Sequence, residues 1–138
     1  MNQELHLQVI TPERKLLDQF VERVTLPEVD GYVTLLPGHA ALVAEVGDGD
    51  LEYEVEGEIH HVAITGGFLQ LEDDVVKILA TSALLPEEID LERAKAAEHR
   101  ASERLSSGDP RIDYLRALSA MHRAQARVTV AMTKQLTA

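Results

Sequence analysis

Leu85-Pro86-Glu87-Glu88-Ile89-Asp90-Leu91-Glu92-Arg93-Ala94 is the stretch in which this sequence changes period. Before it, apolar and polar residues alternate in short runs. After it, small apolar residues return every three or four positions. The first pattern divides side chains between the two faces of a strand, and the second gathers them on one face of a helix. The chain therefore reads as two units that meet near Leu85-Pro86: residues 1–85 built from strands and residues 86–138 built from helices.

On the N-terminal side, Leu5, Leu7 and Val9 alternate with His6, Gln8 and Ile10, and Leu51, Tyr53 and Val55 alternate with Glu52, Glu54 and Glu56. Further strands are expected near Val21–Leu26, over Tyr32–Leu36 and Ala41–Val46, over Glu58–Thr65 and Phe68–Glu72, and over Val75–Ala80. Turn signals separate them: Asp30-Gly31, Pro37-Gly38, Gly47-Asp48-Gly49, Glu56-Gly57, Gly66-Gly67 and Asp73-Asp74. Many short strands at regular spacing predict a sandwich or barrel. On the C-terminal side, Ala94, Ala97, Ala101 and Leu105 mark one helix. Ser106-Ser107-Gly108 interrupts it, and Asp109-Pro110 offers an N-cap and a first-turn proline for a second helix. Ala117, Ala120, Ala124 and Ala131 continue the seam, so the two helices should lie antiparallel. An Ala–Ala seam buries little apolar area and holds weakly at roughly 25 cal/mol per Å². The hairpin is therefore expected to open or move.

Charge divides along the same line. The net charge is −11. Residues 1–85 carry 16 acids against 4 Lys and Arg, and residues 86–138 carry 8 against 9. An acidic first unit argues against nucleic-acid binding. Without cysteine there is no disulfide, thiolate nucleophile or cysteine-ligated metal. Met1-Asn2-Gln3-Glu4 lacks the basic start of a signal peptide, and no apolar run approaches the roughly 20 residues of a spanning helix. Direct membrane insertion is not expected.

Catalytic constellations are missing. There is no phosphate-binding glycine loop with a following Lys, no dinucleotide fingerprint and no nucleophile elbow. His60-His61 has the look of a metal pair, but strand neighbours point to opposite faces and cannot easily share an ion. Asp48, Asp50 and Glu52 mimic the start of a calcium loop, yet Ile59 stands where its closing acid belongs, so a hairpin turn is the better reading. No carboxylate pair is singled out for acid–base work, and the chain is not read as an enzyme.

Leu36-Pro37-Gly38-His39-Ala40, directly after a Gly-containing strand, resembles the signature of the F-type ATP synthase epsilon subunits. Leu5-His6-Leu7 to Thr11-Pro12-Glu13 resembles that family's first strand, Gly66-Gly67-Phe68-Leu69 its late-strand motif, and Ile89-Asp90-Leu91-Glu92-Arg93-Ala94 the opening of its first C-terminal helix. The likeness covers nearly the whole chain. It implies a β-sandwich of about ten strands followed by an antiparallel helical hairpin. It also implies a non-catalytic central-stalk part of a proton-translocating ATP synthase, peripheral on the cytoplasmic face of a bacterial plasma membrane or the stromal face of a thylakoid. The partners it implies are the gamma subunit, the ring of c subunits and, through an extended hairpin that hinders ATP hydrolysis, the alpha and beta subunits. Pro37, Gly38 and His39 are the implied gamma contact, and Asp30, Gly31 and Tyr32 the implied ring contact. Tyr32 and Thr34 depart from the residues usual in that loop.

Some bacterial members bind ATP on the folded hairpin, through Ile or Leu, Asp, two variable residues and Arg-Ala, with two further Arg on the second helix. Ile89, Asp90, Arg93, Ala94, Arg123 and Arg127 match this motif. Arg123 and Arg127 leave one helix face a turn apart, an arrangement suited to phosphate oxygens. An acid those proteins carry six residues before the Asp is Leu84 here. The competing reading is an N-cap at Asp90 beside a solvated basic face. No cofactor is required, and ATP is the candidate regulatory ligand. Two basic rows, Arg93-Arg100-Arg104 and Arg116-Arg123-Arg127-Lys134, suit either solvent or acidic segments of catalytic subunits. The rival function is a free-standing ATP-sensing β-sandwich with a helical lid.

Overall fold

The structure is a computed structural model that describes residues 3–136. Eight strands come first: β1 (Leu5–Ile10), β2 (Lys15–Val21), β3 (Arg23–Glu28), β4 (Gly31–Leu35), β5 (Leu42–Val46), β6 (Gly49–Val55), β7 (Glu58–Glu72) and β8 (Val75–Leu84). A single 3-10 turn, Pro86–Glu88, leads into the helices α1 (Leu91–Ser106) and α2 (Tyr114–Leu136). The strands hydrogen-bond in the order β2-β1-β8-β7-β5-β3-β4, with β6 bridging β3 and β7. This ribbon folds over on itself, so the inward side chains of all eight strands share one core, from Leu5, Leu7 and Val9 on β1 to Val76 and Ile78 on β8. The result is the sandwich the alternation implies.

The resemblance implies about ten strands and eight are found: the one strand expected near Val21–Leu26 is two, β2 and β3, and the two expected over Glu58–Thr65 and Phe68–Glu72 are one, because Gly66-Gly67 is not a turn. β7 runs straight through both glycines, pairing its first half with β6 and its second half with β5. A Cβ on Gly67 would lie 1.8 Å from the Leu79 carbonyl oxygen of β8. Glycine is needed there for the close approach of a neighbouring backbone, not for chain reversal. The inward positions also change parity across this point, from Val62 and Ile64 to Leu69 and Leu71. The strand thus passes from one layer of the sandwich to the other within a single element.

The helices form an antiparallel hairpin. Ala94 and Ala101 of α1 and Ala117, Ala124 and Ala131 of α2 are all buried, as the alanine spacing implies. The second helix begins later than Asp109-Pro110 suggests. Asp109 is occupied in a local turn, accepting from the Arg111 N–H at 2.9 Å, and Asp113 takes the capping role by accepting from the Arg116 N–H at 3.1 Å. A short polar side chain caps whichever helix start presents free N–H groups to it, and here the turn after Pro110 delays that start by one further turn. The α2 helix also lies over the outer face of β6 and β7. There it closes a small second cluster of Ala63, Ile89, Ala94, Val130 and Ala131, separate from the main core.

The passage at Gly67 generates a test. Gly67→Ala should destabilise the chain by more than about 3 kcal/mol, the range of severe backbone clashes. Gly66→Ala meets nothing nearer than the Val46 oxygen at 3.4 Å and should cost far less. Urea unfolding monitored by circular dichroism reads both, and equal costs would contradict the close-approach account.

Candidate functional site

Three surfaces carry the candidate residues. The first is the root of the hairpin. The N–H of Arg93 donates to Asp90 Oδ1 at 3.2 Å, so Asp90 is the N-cap of α1. Ile89 and Ala94 are buried against Val130 and Ala131. Arg93 is exposed in the first turn of α1, while Arg123 and Arg127 are half-buried on α2, one turn apart and one turn before that contact. The Lys134 ammonium donates to the Ile89 carbonyl at 3.3 Å. Among the described residues, none of the guanidiniums of Arg93, Arg123 and Arg127 forms an ion pair with a carboxylate. The Ile89–Ala94 segment thus meets α2 at Val130 and Ala131, one turn beyond Arg127. Arg100 and Arg104 lie further along α1, lining a shallow cleft with Glu103, Ser107 and Ile112.

The second surface is the corner after β4. The His39 N–H donates to the Leu36 carbonyl at 3.1 Å, closing a tight turn with Pro37 and Gly38 at its centre. Gly38 has φ +87°, which the second central position of such a turn requires. Its N–H donates to Asp74 Oδ1 at 2.8 Å, tying the corner to the β7–β8 turn. His39 stands exposed beyond it. Val43 of β5, four residues past the corner, is 76% exposed; further along, Phe68 of β7, opposite Glu45 of β5, and its cross-strand partner Leu79 of β8 are 61% and 50% exposed. Asp30, Gly31 and Tyr32 occupy the opposite end of β4, where Val29 and Tyr32 are also exposed. The length of β4, roughly 17 Å at about 3.3 Å per residue, separates these two groups.

The third surface lies beneath α2 and was not legible in the sequence. His61 Nδ1 is 3.0 Å from Asp50 Oδ2, and Glu52 approaches the same nitrogen at 3.9 Å. Cross-strand pairing of Glu52 with His61 and of Asp50 with Ala63 puts all three on the outer face of β6–β7. Burial pushes the Asp50 carboxyl above the usual carboxylate range, against the pull of His61 and with a further push from Glu52. His60 points the other way and stacks on Tyr53 at 5.1 Å, so the two adjacent histidines do not meet one ion. The signal that could have found the trio is the even-numbered acids of residues 50–54, which needed the β6–β7 register to meet a histidine. Sequence reading also missed the clamp at the hairpin's root. Arg14 in the β1–β2 turn grips both carboxylate oxygens of Glu88, at 2.6 and 2.8 Å, and donates to the Ala83 carbonyl at 3.2 Å.

The chain matches known proteins over nearly its whole length. Residues 4–86 match the family described as the ATP synthase Delta/Epsilon chain, beta-sandwich domain, and residues 87–132 match its long alpha-helix domain. The ATP synthase epsilon chain of Nitratidesulfovibrio vulgaris is 38% identical over 130 residues, covering 94% of this chain and 97% of that one. That of Solibacter usitatus is 42% identical over 134 residues, covering 97% and 100%. Among solved structures, a chain of the Euglena gracilis mitochondrial ATP synthase, in a structure of its OSCP, F1 and c-ring, superposes with a TM-score of 0.79 at 25% identity, covering 99% of this chain and 83% of that one. A chain of the central stalk and c-ring of the Tetrahymena thermophila mitochondrial ATP synthase shares the fold at 16% identity and a TM-score of 0.56, covering 96% and 97%.

The clamp on Glu88 sets a pH dependence. The Arg14 guanidinium first, and the Leu85 N–H second, hold the Glu88 carboxyl below its ordinary value of 4.5. A depressed folded-state pKa contributes stability that is present above 4.5 and lost as pH falls through the lower folded value. Amide exchange at Leu85, which donates to Glu88 Oε1 at 2.8 Å, should therefore gain an extra acceleration below that range in the wild type. In Glu88→Ala, which leaves the Leu85 N–H no side-chain acceptor, it should already be fast at neutral pH and show no such acid step. Identical profiles for the two proteins would contradict the clamp.

Proposed function

We propose, for a chain that belongs to the ATP synthase delta/epsilon family, a role as the rotor part that couples proton flow to ATP synthesis and restrains ATP hydrolysis through its hairpin. The chain is an ATP synthase epsilon subunit, a stalk component that performs no bond chemistry of its own. Its sandwich binds the gamma subunit and rests on the c ring, and so turns with both. The hairpin extends, in the restraining state, toward the alpha and beta subunits. The complex holds the chain peripherally at the membrane, and none of its described helices is long and apolar enough to cross one.

The observation that carries the mobile-hairpin reading is the split between two apolar clusters. The sandwich core is built mainly of Leu, Val and Ile and lacks any helix residue, whereas the hairpin's cluster draws on the body through Ala63 and partly buried Leu84. Three of that cluster's five buried members are alanines. Separating it exposes little apolar surface, so the hairpin can leave while the sandwich keeps its core.

Two partner contacts follow from the surfaces at the ends of β4. The His39 corner, continued along β5 by exposed Val43 and by the Phe68–Leu79 pair opposite Glu45, offers the apolar, partly polar-rimmed area that suits a stable contact with gamma. The tip Asp30-Gly31-Tyr32, with Val29, faces the ring. At the hairpin's root, Asp90, Arg93, Arg123 and Arg127 together with Ile89 and Ala94 form the ATP site of the folded state. Its support is the unpaired cations, which a triphosphate would neutralise.

Assembled complexes lacking residues after Leu85 should hydrolyse ATP faster than intact ones, and unchanged activity would sink the restraining role. Calorimetric titration of the intact chain with MgATP should give binding that Arg123→Ala and Arg127→Ala weaken at least about ten-fold, the loss of one to two charge-assisted hydrogen bonds. No heat at millimolar MgATP would end the nucleotide reading while leaving the rotor role untouched.

A further inference from the structure

We propose that Asp50, Glu52 and His61 form a binding site for a borderline divalent cation, zinc first, on the face of the sandwich that α2 covers. The geometry is that of three ligands around a common centre. One ring nitrogen and two carboxylates offer atoms that all lie within 4.8 Å of one another. Zinc bonds of about 2.0–2.2 Å at tetrahedral angles place neighbouring ligand atoms roughly 3.3–3.6 Å apart. The separations from His61 Nδ1, 3.0 Å to Asp50 and 3.9 Å to Glu52, bracket that spacing. Small rotations of the two carboxylates meet it without moving the backbone.

Charge and burial give the reason for an ion rather than a plain His–Asp pair. One carboxylate satisfies one imidazole. The second stands beside them on a half-buried face, with the Asp50 and His61 side chains only 14% and 19% exposed, in a unit with 16 acids and 4 Lys and Arg. The Glu52 side chain is 36% exposed, and its carboxylate beside the more buried one of Asp50 is favoured by a cation between them. A nitrogen ligand points to zinc-like ions over calcium or magnesium, which prefer all-oxygen shells.

The ligands rest on a rigid scaffold. All three come from the seven-residue ladder of β6 on β7, Asp50 on its second rung and Glu52 opposite His61 on its fourth. The site also touches the hairpin. Asp50 lines a cleft of about 240 Å³ with His122, Gln125 and Thr129 of α2, and His61 lines one of about 780 Å³ with Thr133 and Lys134. A cation here lies at the seam between body and hairpin, with one coordination position left for water or an α2 group.

The test is titration of the intact chain with zinc alone, followed by calorimetry and by the His ring signals in NMR. One equivalent should bind and shift His61. His61→Ala should weaken binding at least about ten-fold, and Glu52→Gln, at a position that leaves the strand pairing intact, should weaken it too. His6→Ala, which removes the His6–Asp18 pair, a pair with no third ligand among the described residues, should leave it unchanged. Should His61→Ala not fold, Glu52→Gln and the NMR shifts decide. Wild-type affinity in Glu52→Gln with unmoved His61 signals, or no binding beyond the millimolar range, overturns the proposal.

Discussion

The structure depends on the unbroken passage of β7 from one layer of the sandwich to the other. Its first half pairs with β6, its second half with β5, and β8 accompanies it from Ala63 to Glu72. The crossing is possible only where a backbone can press against its neighbour with no side chain between, and Gly67 supplies that place against Leu79. Because the strand does not break, the inward side chains of both layers are set by one register. Every surface discussed above inherits its position from that register: the apolar strip at Phe68 and Leu79, the acid–histidine trio at Asp50, Glu52 and His61, and the Ala63 platform under α2.

A rigid body and a light appendage then divide the work. The sandwich closes its own core with long aliphatic side chains, and the hairpin is held by alanines and by polar contacts at its root. Arg14–Glu88 and Lys134–Ile89 fix where the hairpin leaves the body, and they do so through directional bonds more than through buried area. Such contacts specify a geometry without making it costly to abandon, because exposed ion pairs contribute little net stability. The proposed role, gripping a shaft while a mobile hairpin responds to conditions, is served by this unequal construction.

The polar face beneath α2 would, with the proposed cation, add a second kind of control. An acidic sheet under a helix whose unpaired cations lie to one side leaves the seam sensitive to whatever ions enter it. Nucleotide at the root of the hairpin and a metal ion under its middle would act on the same docked state from two places, each through its own preference for that state.

The sequence alone determined what depends on local periodicity and on single-residue chemistry. The strand-to-helix change near Leu85-Pro86, the alanine seam, the Pro37-Gly38 turn and the Asp90 cap are all encoded within a few residues, and a short window suffices to read them. It also excluded the common catalytic motifs. Only the tertiary structure decided that Gly66-Gly67 is a close approach and not a turn, since Leu79 lies twelve residues away and local sequence cannot tell why a glycine is there. Only the fold moved the start of α2 from Pro110 to Tyr114, because two aspartates compete for one capping role. And only the register of β6 on β7 placed His61 among Asp50 and Glu52: residues eleven and nine positions apart meet through cross-strand pairing, which alternation leaves undetermined until the strands are in place.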